Sequence, residues 1–291
     1  MMKPTTTPLI SVLMTAYNRA DYIGTAIQSV LDSTYTNFEL IIVDDCSTDN
    51  TLEVVESYKQ KDSRISVYKN EKNLGDYPNR NQAASYAKGE FIKYCDSDEE
   101  LYPYCLDVMI SCMEKYPESP LGLSHFHDKK RLPYMVTPAE AYRHHYFEGG
   151  FFYNAPSSTI IRRSEFEAEG GFGNIRHRGD YDLWLRMGAK YPIVRMPGLL
   201  NFDVSHGDQE RNKNFLYKKY LNHTLAMKAL DDKNCPLPED ERQKAKLIWR
   251  NGFIRQNIFS GLMKFKFKDV MYLIKECKVT LPEMFRALKK S

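Results

Sequence analysis

Phe38-Glu39-Leu40-Ile41-Ile42-Val43-Asp44-Asp45-Cys46-Ser47-Thr48-Asp49 is an apolar run that stops abruptly at two acids and a polar turn. The run reads as a strand buried on both faces. The turn reads as the opening of a helix through Lys61, with Ser47, Thr48 or Asp49 available to cap it. The same grammar recurs on both sides. Leu9–Thr15 is a β-rich strand followed by Ala20–Leu31, where Ile23, Ile27, Val30 and Leu31 fall at helical spacing. Ile65–Tyr68, a helix over Pro78–Ala87, and the strand Glu90–Cys95 follow. Strands separated by helices of this length predict an α/β fold with a mostly parallel central sheet flanked by helices. In such sheets ligands bind beyond the carboxyl ends of the strands.

Further along, Leu121–Phe126 and Ser158–Ile161 read as strands, Tyr181–Lys190 as a helix, and Ile193–Val204 as extended around Pro197-Gly198. From Asp208 the pattern is helical, over roughly 208–231, 239–261, 267–278 and 281–290, with a break at Cys235-Pro-Leu-Pro238. This divides the chain into a sheet domain, 1–206, and a C-terminal helical extension, 207–291.

Composition narrows the class. The 291 residues are 42% apolar and 27% charged, enough to bury a core without disulfides or structural metal. No run of about 18 apolar residues marks a membrane span. Met1–Thr7 lacks the features of an export signal. Cys46, Cys95, Cys105, Cys112, Cys235 and Cys277 make no CxxC pair and read as reduced thiols. The expected location is cytoplasmic. The net charge of +3 is unevenly spread: 22 Lys and Arg face 28 Asp and Glu from Met1 to Ser205, and 19 face 10 from His206 to Ser291. A basic C-terminal region favours an anionic partner.

The acidic strand ends carry the chemistry. Asp96-Ser97-Asp98 places two carboxylates at spacing i, i+2 after a strand, so both can face one side. Such hard oxygens suit Mg²⁺ or Mn²⁺ bound with substrate phosphates. A bare Asp-x-Asp is more often a solvated turn, and the neighbouring acidic end at Asp44-Asp45 is what lifts this one above that reading. Asp44 could accept a hydrogen bond from a base or ribose. Asp180, before the stripe Tyr181, Leu183, Trp184, Leu185, is either a helix cap or a general base. His206 is either a metal or phosphate ligand or a surface histidine. There is no GxxxxGK[ST], no GxSxG and no HExxH, and Gly170-Gly171-Phe172-Gly173 does not open a βαβ unit.

At this point the sequence resembles the inverting family 2 glycosyltransferases of GT-A fold. The resemblance rests on Ile10-Ser11-Val12 with Thr15-Ala16-Tyr17-Asn18-Arg19, on Glu39–Thr51, and on Asn73-Leu74-Gly75. It continues through Arg80-Asn81, Ala87–Ile92, Asp96-Ser97-Asp98 and Gly179–Arg186, in that order. It implies a nucleotide-diphosphate sugar donor, with a UDP-sugar expected, held by Thr15, Tyr17, Arg19, Asp44, Asp45, Arg80, Asp96 and Ser97. It implies a divalent cation, Mn²⁺ or Mg²⁺, on Asp98, Asp96 and His206, and Asp180 as catalytic base. The family usually writes Glu-Asp where this chain has Gly179-Asp180. The QxxRW signature of processive synthases is absent, implying transfer of one sugar per encounter to a glycan or lipid-linked acceptor.

Two other classes compete. Nucleotidyltransferases share the α/β layout and an acid-bound metal, but carry a glycine-rich loop after the first strand, and Thr15–Asp21 has no glycine. A non-catalytic nucleotide- or glycan-binding relative is the other. In the tail, Phe267, Val270, Met271 and Ile274 form a helical apolar face with Lys264, Lys266, Lys268, Lys275 and Lys278 around it. That face either lies peripherally on an anionic membrane or packs on the protein. No nucleic-acid module is recognisable, so no nucleic acid partner is expected.

Overall fold

The computed structural model describes residues 7–125, 130–198, 200–203 and 214–288. The first half alternates as expected: β1 Ile10–Ala16, α1 Ile23–Leu31, β2 Phe38–Asp44, α2 Thr51–Lys59, β3 Ile65–Lys69, α3 Asp76–Ser85 and β4 Phe91–Tyr94. It continues with β5 Glu99–Leu101, α4 Cys105–Lys115, β6 Leu121–His125, β7 Tyr134–Val136, α5 Pro138–Arg143, β8 Thr159–Arg162, α6 Arg163–Ala168 and α7 Gly179–Lys190. Then come β9 Ile193–Pro197, β10 Asn201–Asp203, α8 Phe215–Asp231, α9 Glu239–Phe253, α10 Ser260–Met263, α11 Phe267–Glu276 and α12 Leu281–Leu288.

Among the described residues eight strands form one sheet in the order β3-β2-β1-β4-β8-β6-β9-β7. Only β8 and β7 run against the rest, so the sheet is mostly parallel. Parallel strands covered on both faces must be apolar throughout, which is why β1 and β2 are nearly continuous aliphatic runs. Their register runs from Ile10 opposite Phe38 to Ala16 opposite Asp44, so both strands release their loops at one level. β4 stops sooner, at Tyr94 opposite Leu13, and Cys95 N–H still donates to Leu13 O at 3.0 Å. Asp96–Asp98 therefore emerges beside the final residues of β1.

Two differences from the expected elements have simple causes. Ile193–Val204 divides at Pro197-Gly198: β9 joins the large sheet, while β10 pairs with β5 in a separate antiparallel ribbon. Helix α4 was not expected, although Leu106, Met109, Ile110 and Met113 repeat at helical spacing and bury fully or nearly so. Cys95, Cys105 and Cys112 sit in the same core, and all six cysteines are free.

Backbone contacts divide the chain into two compact units. The sheet unit comprises the chain to Thr137, Asn154–Leu183 and the segment from Tyr191. The second unit joins Pro138–Tyr153 and Trp184–Lys190 to the C-terminal helices. Its core includes Phe253, Ile254, Ile258, Val270 and Leu273. Arg250 clasps Glu283 there, Nε to Oε1 at 3.0 Å and a terminal nitrogen to Oε2 at 3.1 Å. No helix among the described residues is long and apolar enough to cross a membrane.

Candidate active site at the strand ends

The loops leaving β1 and β2 are stitched together by side chains. Asn18 N–H donates to Ser47 Oγ (2.9 Å), and Thr48 N–H to Asn18 Oδ1 (2.9 Å). Arg19 N–H donates to Thr51 Oγ1 (2.7 Å), and Ala20 N–H to Asp49 Oδ2 (3.1 Å). Burial alone would raise the Asp49 pKa; bonds from Thr51 and Ala20 outweigh it and hold the carboxyl below its ordinary value. The capping residues thus serve the neighbouring loop as much as α2. Asn18 and Cys46 both adopt left-handed backbone, at φ 53° and 66°. For cysteine that conformation costs energy, and such strain is retained where the surroundings over-determine it.

Asp44 and Asp45 have different jobs. Asp45 is fully engaged: Oδ1 accepts from Asn70 Nδ2 (2.7 Å) and Leu74 N–H (2.8 Å), and Oδ2 from Gly75 N–H (2.9 Å). It holds the 70–75 loop, where Gly75 takes φ 85° to turn into α3. Asp44 is completely buried; Oδ2 accepts from Ser47 N–H at 3.0 Å, while Oδ1 has no partner among the described residues. An unpaired buried acceptor costs roughly 1–3 kcal/mol, which sets Asp44 apart from the fully engaged Asp45.

Helix α3 ties the strand ends together. Asn79 Oδ1 accepts from Asn70 Nδ2 (2.9 Å), linking α3 to the Asp45 loop. Arg80, 8% exposed, donates from Nε to Asp76 Oδ1 and from a terminal nitrogen to Asp96 Oδ1, both at 2.7 Å. Tyr77 Oη donates to Asp180 Oδ1 at 2.8 Å. One polar turn therefore reaches the end of β2, the turn after β4 and the start of α7.

Asp180 also accepts from Tyr181 N–H at 2.7 Å. Burial pushes its pKa above the usual carboxylate value, and the Tyr77 and Tyr181 bonds pull partly back. The Tyr77 phenol is itself pushed well up, by burial and then by the Asp180 charge, so it stays protonated and donates. Gly179 is dictated by this arrangement: a Cβ there would lie 2.7 Å from both the Tyr77 ring and Gly173 O. A larger residue at position 179 is excluded because the tyrosine fills its place.

In the acidic turn each aspartate faces an arginine. Asp98 Oδ2 meets Arg19 Nε at 3.2 Å, and Asp96 meets Arg80. Glu99, next in sequence, is held by Asn201 Nδ2 at 2.7 Å and pushed up to about 7 by burial and then the Asp96 charge. Among the described residues no three His, Cys, Asp or Glu side chains form a metal cluster. The donor set still fits a hard divalent ion, which commonly takes one or two carboxylates and completes its shell from phosphate and water. His206 lies outside the described residues.

Of the expected residues, then, Arg19 joins Asp98, and Arg80 joins Asp96. Asp180 is tied to the same helix as Arg80, and Asp45 is bound to the loop leading into it. Thr15 is half-buried opposite Val43 near the end of β1, Tyr17 is 46% exposed, and Ser97 is buried within the acidic turn. Asp76, Tyr77 and Asn79 were not anticipated. The cue was a polar first turn, Asp-Tyr-Pro-Asn-Arg, following a glycine.

The Glycosyl transferase family 2 description matches residues 11–191. TuaG of Bacillus subtilis is 43% identical over 93 residues, covering 32% of this chain and 37% of that protein. The Escherichia coli UDP-Glc:alpha-D-GlcNAc-diphosphoundecaprenol beta-1,3-glucosyltransferase WfaP is 30% identical over 227 residues, 76% of this chain and 86% of that one. The crystal structure of S. aureus TarS 1-349 in complex with UDP superposes with a TM-score of 0.68 at 20% identity, covering 96% of this chain and 80% of that one, which establishes the GT-A fold. The chain belongs to glycosyl transferase family 2 and is a glycosyltransferase.

Proposed function

We propose that this chain is an inverting, metal-dependent glycosyltransferase. It moves one sugar from a nucleotide-diphosphate sugar, a UDP-sugar, to a hydroxyl of a glycan or lipid-linked acceptor in cell-surface polysaccharide synthesis. Residues 1–206 form the catalytic domain and residues 207–291 a basic helical region, acting at the cytoplasmic side of a membrane. The observation that carries the reading is α3, which links the Asp96 turn and Asp180 through Arg80 and Tyr77. The donor choice is supported by the UDP in TarS, and the acceptor class by the diphosphoundecaprenol in the name of WfaP.

Asp44 Oδ1 accepts from the base, with Thr15, Tyr17, Arg19 and Ser97 around the nucleoside. Asp45 and Arg80 act as positioning residues, the first for the 70–75 loop and the second for Asp96. A divalent cation, Mg²⁺ or Mn²⁺, would be held by Asp98 with Asp96 and would offset charge developing on the departing diphosphate. Asp180 takes the proton of the acceptor hydroxyl as that oxygen attacks the anomeric carbon opposite the leaving group, so configuration inverts. Tyr77 keeps the carboxylate oriented and ionised. A raised pKa makes Asp180 a stronger base than a solvated aspartate.

The test is thermal unfolding with UDP, GDP and CDP, each with and without Mn²⁺, followed by donor turnover. One nucleoside diphosphate should stabilise the protein by about 2.7 kcal/mol at a hundredfold excess over its Kd, more strongly with Mn²⁺. Stabilisation by none of them, or by one of them equally with and without Mn²⁺, overturns the metal-dependent nucleotide-sugar reading.

A further inference from the structure

Between α10 and α11 the chain turns outward, and every residue from Met263 to Asp269 is exposed. Met263, Phe265, Phe267 and Met271 keep 75%, 80%, 55% and 64% of their surface. The apolar face expected for α11 is split. Val270 and Leu273 are 1% exposed and anchor the helix in its core, with Ile274 packed beside them, whereas Phe267 and Met271 face away. Scattered apolar residues need no explanation, but a contiguous exposed group marks an interaction surface.

Two further features set this group apart. Phe265 sits at φ 55°, a left-handed conformation unfavourable for a bulky side chain, yet its ring gains almost no burial from the fold. The ring meets Phe267 edge to face, centroids 6.0 Å apart at 70°. Lysines alternate with the rings at Lys264, Lys266 and Lys268. On α8, Lys219 shares their field: burial first, then the charges of Lys266 and Lys264, hold it below its ordinary value, against Asp269. Its Nζ lies 4.5 Å from the ring centroid of Phe215, itself 67% exposed. The result is an aromatic tip with a cationic rim.

We propose that this tip, with Phe215 and Lys219 beside it, docks on an anionic lipid bilayer. The two rings enter the interfacial region and the lysines meet the headgroups, the division of labour that amphipathic anchors use. The crossed rings form a wedge rather than parallel platforms for stacked bases, which favours lipid over nucleic acid. The inference does not depend on the transfer reading: a chain that binds vesicles but turns over no donor removes that reading alone.

The full chain is floated with phosphatidylcholine vesicles and with mixed phosphatidylcholine–phosphatidylglycerol vesicles, at low and high salt. It should float only with the anionic vesicles and leave them at high salt. Each Lys→Ala change at 264, 266 or 268 should weaken partitioning about fivefold, and Phe265→Ser with Phe267→Ser about tenfold or more. Circular dichroism checks that the variants fold, and the salt series on the unaltered chain tests the proposal without them. Failure to float with anionic vesicles, or flotation indifferent to salt and to both sets of changes, overturns it. So does a dimer that the phenylalanine changes dissolve in the absence of lipid binding, or salt-sensitive binding of single-stranded RNA by a chain that ignores vesicles.

Discussion

At the strand ends, Arg80 divides its guanidinium between Asp76 and Asp96, Arg19 turns to Asp98, and the Tyr77 hydroxyl ends on Asp180. In the segment from Met263 to Asp269, aromatic and cationic side chains of the same kinds face solvent. The first region meets its electrostatic needs mostly from within, sparing one Asp44 oxygen; the second leaves its rings and ammonium groups exposed. A small molecule held in a fixed pose needs the first kind of surface, because preorganised dipoles act without rearranging. An extended, fluid partner needs the second, which tolerates imprecision. The two regions should therefore respond to substitution in different ways.

The sharpest break is Asp180→Asn. The amide preserves shape and can still meet Tyr77, but it cannot accept the acceptor's proton. Sugar transfer should fall about 10³-fold, in the range of a lost general base, with vesicle flotation and melting temperature unchanged. Turnover near the unaltered rate would remove Asp180 from its role.

Arg80→Ala probes the wiring itself. Removing the guanidinium leaves Asp76 and Asp96 without their shared cation. Breaking a fully buried pair costs roughly 3–5 kcal/mol. The Asp76 side chain is 40% exposed and the Asp96 side chain 24%, so water takes back part of that cost. A loss of about 2 kcal/mol is expected, lowering the melting temperature by about 4–8 °C, together with weaker nucleoside diphosphate binding. A comparable alanine at Lys266 should leave the melting temperature unmoved, which is the contrast between the regions put as one measurement.

The acids and strands were readable because each is a local event: an aliphatic run buried on both faces, then a carboxylate where the sheet stops. The mostly parallel sheet and the placing of Asp44, Asp96 and Asp98 at strand ends follow from that; the family followed from the resemblance of the ordered motifs, and Asp180 from its place ahead of the apolar stripe Tyr181, Leu183, Trp184, Leu185. The wiring was not readable, because its partners are distant in sequence; Tyr77 and Asp180 are 103 residues apart. Nor could composition separate Asp44 from Asp45, adjacent carboxylates of which one is engaged by a loop and the other keeps an unpaired oxygen. On α11 the periodicity picked out Phe267, Val270, Met271 and Ile274 but not Leu273, and not which of them the fold would cover. Phe267 and Val270 look alike in sequence, and only the packing of Val270 beside Leu273 in the helical core tells them apart.

Tyr77→Phe gives the smallest effect and the most specific one. The phenol donates to Asp180 and stabilises its ionised form, so removing the hydroxyl raises the carboxyl pKa further above its ordinary value. Because the base works only when ionised, activity rises with pH through that pKa. The acid limb of kcat/KM should therefore move to higher pH in the variant. A hydrogen bond to a charged group contributes roughly 1.5–3 kcal/mol, and one pKa unit corresponds to about 1.4 kcal/mol. The displacement is partial, since Tyr181 N–H still supports the same oxygen. Above the limb, activity should return toward that of the unaltered chain, because the ring remains to fill the space beside Gly179 and to pack on Phe172, 5.3 Å away. If Tyr77 merely filled space, the variant would show the original limb; if it held the loop in shape, the plateau would fall and the limb would stay. A moved limb beneath a recovered plateau is what distinguishes a residue that tunes the base from one that only packs beside it.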